Sequence, residues 1–212
     1  MNDPKFDADS AVERAKYLRA YQGRKYAEGA GKQSYKNRDQ ISKLVVDLRA
    51  ETAWDFRCGN GLGAVLLYES GIEKTYLVDF MGSKYLDPMV REMVILGTAE
   101  YYQNSLWDPA LPPQKADFGI CTDVMEHIPE QHVDEVLRAI RKRVPVCFFR
   151  IAMFPDSPRK IERHGGALHV TVREVEWWIE RLLKAFGTVT TETVEVKKTN
   201  PNKRILVCTA YA

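Results

Sequence analysis

The residues most able to do chemistry fall in three short clusters. The first is Asp55-Phe-Arg-Cys-Gly-Asn-Gly-Leu-Gly63. Glycines in such a run let the backbone turn tightly and approach a ligand closely, and helix amide groups behind them favour a negative group such as a carboxylate or phosphate. The second is Asp79, a carboxylate about 20 residues after the glycines and well placed to accept both hydroxyls of a ribose. The third is Asp117-Phe-Gly-Ile-Cys-Thr-Asp-Val-Met-Glu-His-Ile-Pro129, which carries two acids and a histidine near its end. A further pair, His164 and His169, flanks two glycines and offers a base or half a metal site.

These clusters need elements to hold them. Alternation of short apolar runs and amphipathic stretches predicts strands over Thr52–Phe56, Lys74–Asp79, Thr98–Gln103, Asp117–Thr122 and Val146–Met153. Helices are predicted over Asn37–Ala50, Gly61–Ser70, Ser83–Leu96 and Glu130–Lys142. In the last of these Val133, Val136, Leu137 and Ile140 share one face. Thr171 and Glu174 read as a capping box opening a helix that Gly187 stops, with Val175, Trp178, Ile179, Leu182, Leu183 and Phe186 on its apolar face. Ser10 and Glu13 read as another box, within a helical segment over residues 8–50 that breaks at 28–32. Strands Thr188–Val196 and Arg204–Ala210 close the chain, joined by a turn at Asn200-Pro-Asn202. Strand–helix units followed by a hairpin predict an α/β fold: a doubly wound, mostly parallel seven-stranded sheet with a C-terminal antiparallel hairpin. Ligands in such sheets bind at the carboxyl ends of the strands, so each cluster falls at a loop where a ligand belongs.

With these residues the chain resembles the class I (Rossmann-like) S-adenosylmethionine (SAM)-dependent methyltransferases. An acid-x-Gly-x-Gly-x-Gly loop corresponds to Asp55–Gly61, the acid ending the second strand to Asp79, and a Glu-His-Ile-Pro segment to Glu126–Pro129. The resemblance spans about residues 37–210 and implies SAM as cofactor. It implies that Gly59 and Gly61 pass close to the methionine part, that Asp55 organises the loop and helps hold the amino group, that Cys58 and Asn60 of the same loop bind the cofactor, and that Asp79 takes the ribose. Phe80 and Met81 would pack on the adenine with Ser105, Leu106 and Trp107 close to it, and Thr122, Asp123 and Val124 would lie beneath the sulfonium. Asp123 and His169 are the candidate general bases; His127 reads as a packing residue. One departure stands out: the first motif glycine is Arg57, which either pairs with the SAM carboxylate or obstructs the pocket. It motivates the alternative of a non-catalytic protein on the same fold. A dehydrogenase is disfavoured, because Gly59, Gly61 and Gly63 do not make the Gly-x-Gly-x-x-Gly spacing.

The 212 residues suffice for one such domain, with 1–36 as an N-terminal helical cap over 37–212. Tyr17, Tyr21, Tyr26 and Tyr35 supply aromatic surface for a lid. Net charge is +2, from 31 basic and 29 acidic residues, so a nucleic-acid partner is not supported and a small-molecule acceptor is favoured; a homo-oligomer is left open. The four cysteines, Cys58, Cys121, Cys147 and Cys208, are too widely spaced for a zinc motif and read as reduced core residues of a cytoplasmic protein. No metal site is expected, and no apolar run approaches the roughly 20 residues of a membrane span.

Overall fold

The computed structural model describes residues 7–22, 34–108, 110–197 and 200–212. Seven strands form one sheet: β1 Thr52–Phe56, β2 Lys74–Asp79, β3 Ala99–Gln103, β4 Phe118–Thr122, β5 Val146–Ala152, β6 Thr188–Lys197 and β7 Asn200–Tyr211. Their order is β3-β2-β1-β4-β5-β7-β6. Neighbours from β3 to β5 are parallel, and β7 runs antiparallel to both β5 and β6. The helices are α1 Ala8–Tyr21, α2 Arg38–Leu48, α3 Leu62–Glu69, α4 Pro88–Ile95, α5 Glu130–Arg141, α6 Pro158–His164 and α7 Val175–Phe186. The sequence-predicted fold is therefore the one observed.

Period-two alternation sorts β1 between two cores. Trp54 and Phe56 face α5 and α7, packing with Val133, Val136, Leu137, Ile140, Trp178 and Leu182. Ala53 faces α2 and α3, beside Ile41, Val45, Leu66 and Leu67. Burying both faces is what allows a parallel sheet to be so uniformly apolar. β5 is buried along its whole length, Arg150 included. Cys58, Cys121, Cys147 and Cys208 are buried free thiols, as their apolar surroundings predict. Burial pushes all four thiols up, which keeps them unreactive.

Several local expectations need correction. The cap of α1 is Asp7, whose carboxylate accepts the Ser10 amide at 2.7 Å, so Ser10 lies inside the helix. Thr171 caps nothing: its hydroxyl donates to Ile128 O at 2.6 Å, and α7 starts at Val175 without a side-chain cap. The helix expected over Ser83–Leu96 is split into a 3-10 turn, Ser83–Tyr85, and α4, because Asp87 caps a new start at Pro88. Asn200 belongs to β7 and pairs with Lys197, so the stretch Asn200-Pro-Asn202 expected to turn is strand; residues 198–199 lie outside the described residues. The break expected at 28–32, and Tyr26, also lie outside them. Leu183, expected on the apolar face of α7, is exposed. Helix α6 carries one apolar residue, Ile161, and no stripe announces it.

Candidate active site

Strand order reverses between β1 and β4, and the loops that follow these strands diverge there. The loop after β1 is drawn into shape by alternating left-handed residues: Arg57 (φ 66°), Gly59 (φ 60°) and Gly61 (φ 83°). A side chain on Gly61 would meet Val90 of α4 at 2.6 Å, and one on Gly63 would meet the Asp55 carboxylate at 2.2 Å. The glycines thus let α3 close onto β1 and α4. Arg57 adopts the glycine-like conformation despite its Cβ, at a cost of about 1–2 kcal/mol.

Asp79 ties the second cluster to the first. Its Oδ2 accepts the Gly59 amide at 2.9 Å and its Oδ1 the Met81 amide at 2.8 Å. Burial raises its pKa, opposed by the Arg57 guanidinium beside it and by those two amides. Asp55 is buried below the loop, and desolvation, helped by the Asp79 charge, pushes its pKa up to about 8. The Arg57 guanidinium lies between two aromatic rings, 4.3 Å from the Tyr17 centroid and 4.5 Å from that of Phe80. The ring of Phe80, expected to face an adenine, is thus covered by Arg57 and by the edge of Tyr17.

Helix α1 crosses the same ends of the strands. Ser105 Oγ donates to Ser10 Oγ at 2.6 Å, Trp107 Nε1 to Asp7 at 3.0 Å and Arg14 Nε to Phe80 O at 3.1 Å. Lys16 reaches Ala167 O, and Asp9 is bonded to Gln131 and His132. Met81 packs with Tyr17, Ala20 and Tyr21 of this helix, and Cys58, Asn60, Ser105, Leu106, Trp107 and Val124 are buried as well.

At the end of β4, Thr122 leads into Asp123, which is also left-handed (φ 53°). Its amide donates to Arg150 O at 2.8 Å and its carboxylate is ion-paired with the Arg150 guanidinium. The 3-10 turn Met125–His127 follows. Glu126 is wholly buried; its Oε1 accepts the Ala152 amide at 3.2 Å, and its backbone carbonyl accepts the Val170 and Thr171 amides. Burial, reinforced by the charge of Asp123, pushes its pKa well up. His127 packs edge-on to Tyr17 and to His169, 4.9 Å between the latter ring centroids. Its pKa is held well down by burial and by the nearby Arg57 charge. His169 is fixed from both ends: its backbone amide donates to Asp156 Oδ2 at 2.9 Å and its Nδ1 to Phe154 O at 2.7 Å.

The structure therefore gathers Asp55–Gly61, Asp79–Met81, Ser105–Trp107, Thr122–Val124 and His169 at one edge of the sheet. His164 is buried at the end of α6, where its backbone carbonyl accepts from Arg19 of α1 at 3.5 Å. Sequence reasoning placed Glu126 in the Glu-His-Ile-Pro segment without a role and passed over Arg150 and Asp156. The signal for the burial of Glu126 was its position between Met125 and the His127-Ile128 pair, all of them buried. Contrary to expectation, a cluster with metal-ligand chemistry exists: Glu126, His127 and His169.

No protein-family model matches the chain, and no curated protein matches it in sequence. Solved structures do match in shape. The 1,6-didemethyltoxoflavin-N1-methyltransferase of Burkholderia thailandensis, solved with 1,6-didemethyltoxoflavin and S-adenosylhomocysteine bound, superimposes with a TM-score of 0.67 at 14% identity over 100% of this chain and 92% of that one. An O-methyltransferase family protein from the same organism gives 0.64 at 15%, covering 97% of this chain and 61% of that one. The small RNA methyltransferase HEN1 gives 0.60 at 16%, covering 84% of this chain and 25% of that one. This chain thus spans only about three fifths and one quarter of the last two. At these identities the likeness establishes the fold, that of the class I SAM-dependent methyltransferases.

Proposed function

We propose that this chain is a SAM-dependent methyltransferase acting on a small-molecule acceptor, with α1 as a lid over the cofactor pocket. The observation that carries the reading is the Asp79–Gly59 hydrogen bond. It joins the acid of β2 to the glycine loop of β1 beside the point where strand order reverses. Each Asp79 oxygen accepts one backbone amide and retains a lone pair, so two ribose hydroxyls can donate to it. Asp55 supports an ammonium group, since a cation there favours the ionised carboxylate that burial disfavours. Cys58, Gly59, Asn60 and Gly61 line the methionine side. Met81, Phe80, Ser105, Leu106 and Trp107 enclose the adenine, and Thr122, Asp123 and Val124 border the reacting methyl.

When bound, SAM supplies a methyl carbon already activated by a sulfonium. The protein then has to align the acceptor and exclude water, which α1 does through its bonds to Phe80, Ser105 and Trp107. His169 directs Nδ1–H to a carbonyl, so Nε2 holds a lone pair for the acceptor's proton. Asp123 is anchored by Arg150 and orients the acceptor. Arg57 acts as a placeholder: its cation lies beside Asp79 and over Phe80, and the cationic cofactor takes its place. The balanced charge of +2 supports a small acceptor over a nucleic-acid polymer.

Isothermal titration with SAM tests this. The wild type is expected to bind, and Asp79→Asn to bind at least tenfold more weakly. The placement of Arg57 also favours a second reading, a non-catalytic protein on this fold. Absence of both heat and thermal shift with SAM, in the wild type and in Arg57→Gly alike, selects it.

A further inference from the structure

The ligand atoms of Glu126, His127 and His169 lie within 4.8 Å of one another. A point among three such atoms is no more than about 2.8 Å from each. Inward movements of less than about 1 Å bring it to the roughly 2.0–2.2 Å of zinc–nitrogen and zinc–oxygen bonds. Both histidines are already oriented. His127 Nδ1 is 2.8 Å from Leu168 O and His169 Nδ1 is 2.7 Å from Phe154 O. A carbonyl only accepts, so both Nδ1 atoms carry the proton and both Nε2 atoms present a lone pair. This is how imidazoles that ligate metals are held and how their tautomer is fixed.

Glu126 adds an independent observation. The residue is wholly buried, Oε1 has its amide, and Oε2 is buried without a hydrogen-bond partner. A buried acceptor left unpaired is costly, and a bound cation supplies its missing partner. Protonated Glu126 is the plain structural alternative, but it too leaves a buried hydroxyl in need of an acceptor.

We propose that Glu126 Oε2, His127 Nε2 and His169 Nε2 form a three-ligand site for a divalent transition-metal ion. Two neutral imidazoles and one carboxylate suit zinc, iron(II), cobalt(II) or manganese(II), and leave coordination positions open. Binding of the ion is independent of the methyl-transfer reading. Only its use in transfer, where the His169 lone pair would serve the ion in place of a proton, rests on that reading.

The full chain, stripped with a chelator, is titrated with cobalt(II) alone and then zinc(II) alone, without SAM. One equivalent is expected to bind, with a visible cobalt d–d band and a raised melting temperature. Glu126→Gln and His169→Gln are each expected to weaken binding by at least tenfold, whereas His132→Gln, at a half-buried histidine bonded to Asp9 and outside the cluster, leaves it unchanged. Should Glu126→Gln fail to fold, His169→Gln decides alone. No stoichiometric binding, or binding that survives the His169 substitution, overturns the proposal. A failed SAM titration leaves it standing.

Discussion

Substituting Arg57 by glycine and, separately, by alanine splits the two roles that the structure gives this residue. Its backbone is left-handed (φ 66°). Alanine keeps that strain, about 1–2 kcal/mol, whereas glycine removes it but loses about 0.4–1 kcal/mol through the freer unfolded chain. Arg57→Gly is therefore expected to be about 1 kcal/mol more stable than Arg57→Ala. Both lose the guanidinium between Tyr17 and Phe80, worth about 0.5–2 kcal/mol. Both also lose the cation that favours ionised Asp79, so both fall below wild type. Urea midpoints of the three proteins at pH 7 measure this order. Equal stability of the two variants would refute the strain argument. SAM affinity carries the second role. With the guanidinium gone the Phe80 face is open and a like charge is removed, so both variants are expected to bind SAM about tenfold tighter, a difference of about 1.4 kcal/mol. Tighter binding by wild type would instead make Arg57 a ligand and end the placeholder reading.

Two further outcomes can be checked. Burial and the Asp79 charge push the Asp55 carboxyl up to about 8 in the folded state, from an ordinary 3.8. The folded state therefore holds a proton that the unfolded state has lost between these values. Stability from this group is complete below about pH 4 and is lost as pH rises towards 8. In Asp55→Asn that dependence disappears, so the wild type should lose about 1 kcal/mol per pH unit relative to the variant between pH 5 and 7, read from chemical denaturation. An unchanged difference would mean that Asp55 is ionised throughout. Asp7→Ala removes both the α1 cap and the acceptor for Trp107, the cap alone being worth about 1 kcal/mol. It is expected to speed limited proteolysis within α1 several-fold and shift tryptophan fluorescence to the red; wild-type behaviour in both would sink the lid.

The fold was legible where a signal is local. β1 and β2 have the bounds that their apolar runs predict, and the stripe of α5 is buried residue for residue. Caps were misread because several oxygens compete for one amide. Asp7 precedes Ser10 at the start of α1, and the Thr171 hydroxyl is spent on Ile128 O. In the site, the glycine loop and Asp79 were legible by spacing. The Glu126–His127–His169 cluster was not, since 42 residues separate its histidines and tertiary contacts, among them those of Leu168, Phe154, Asp156 and Thr171, bring them together. Nor does any local pattern announce that Phe80, Ser105 and Trp107 are bonded to α1.

The position of β7 bears on how the molecule is made. It enters between β5 and β6, and β6 has no other neighbour in the sheet. During synthesis β6 therefore leaves the ribosome before anything exists for it to pair with, and the open flank of β5 waits as well. The sheet is completed by inserting its last strand into an interior slot, so translational pausing or cleavage upstream of Asn200 exposes two unpaired edges at once, a state open to self-association.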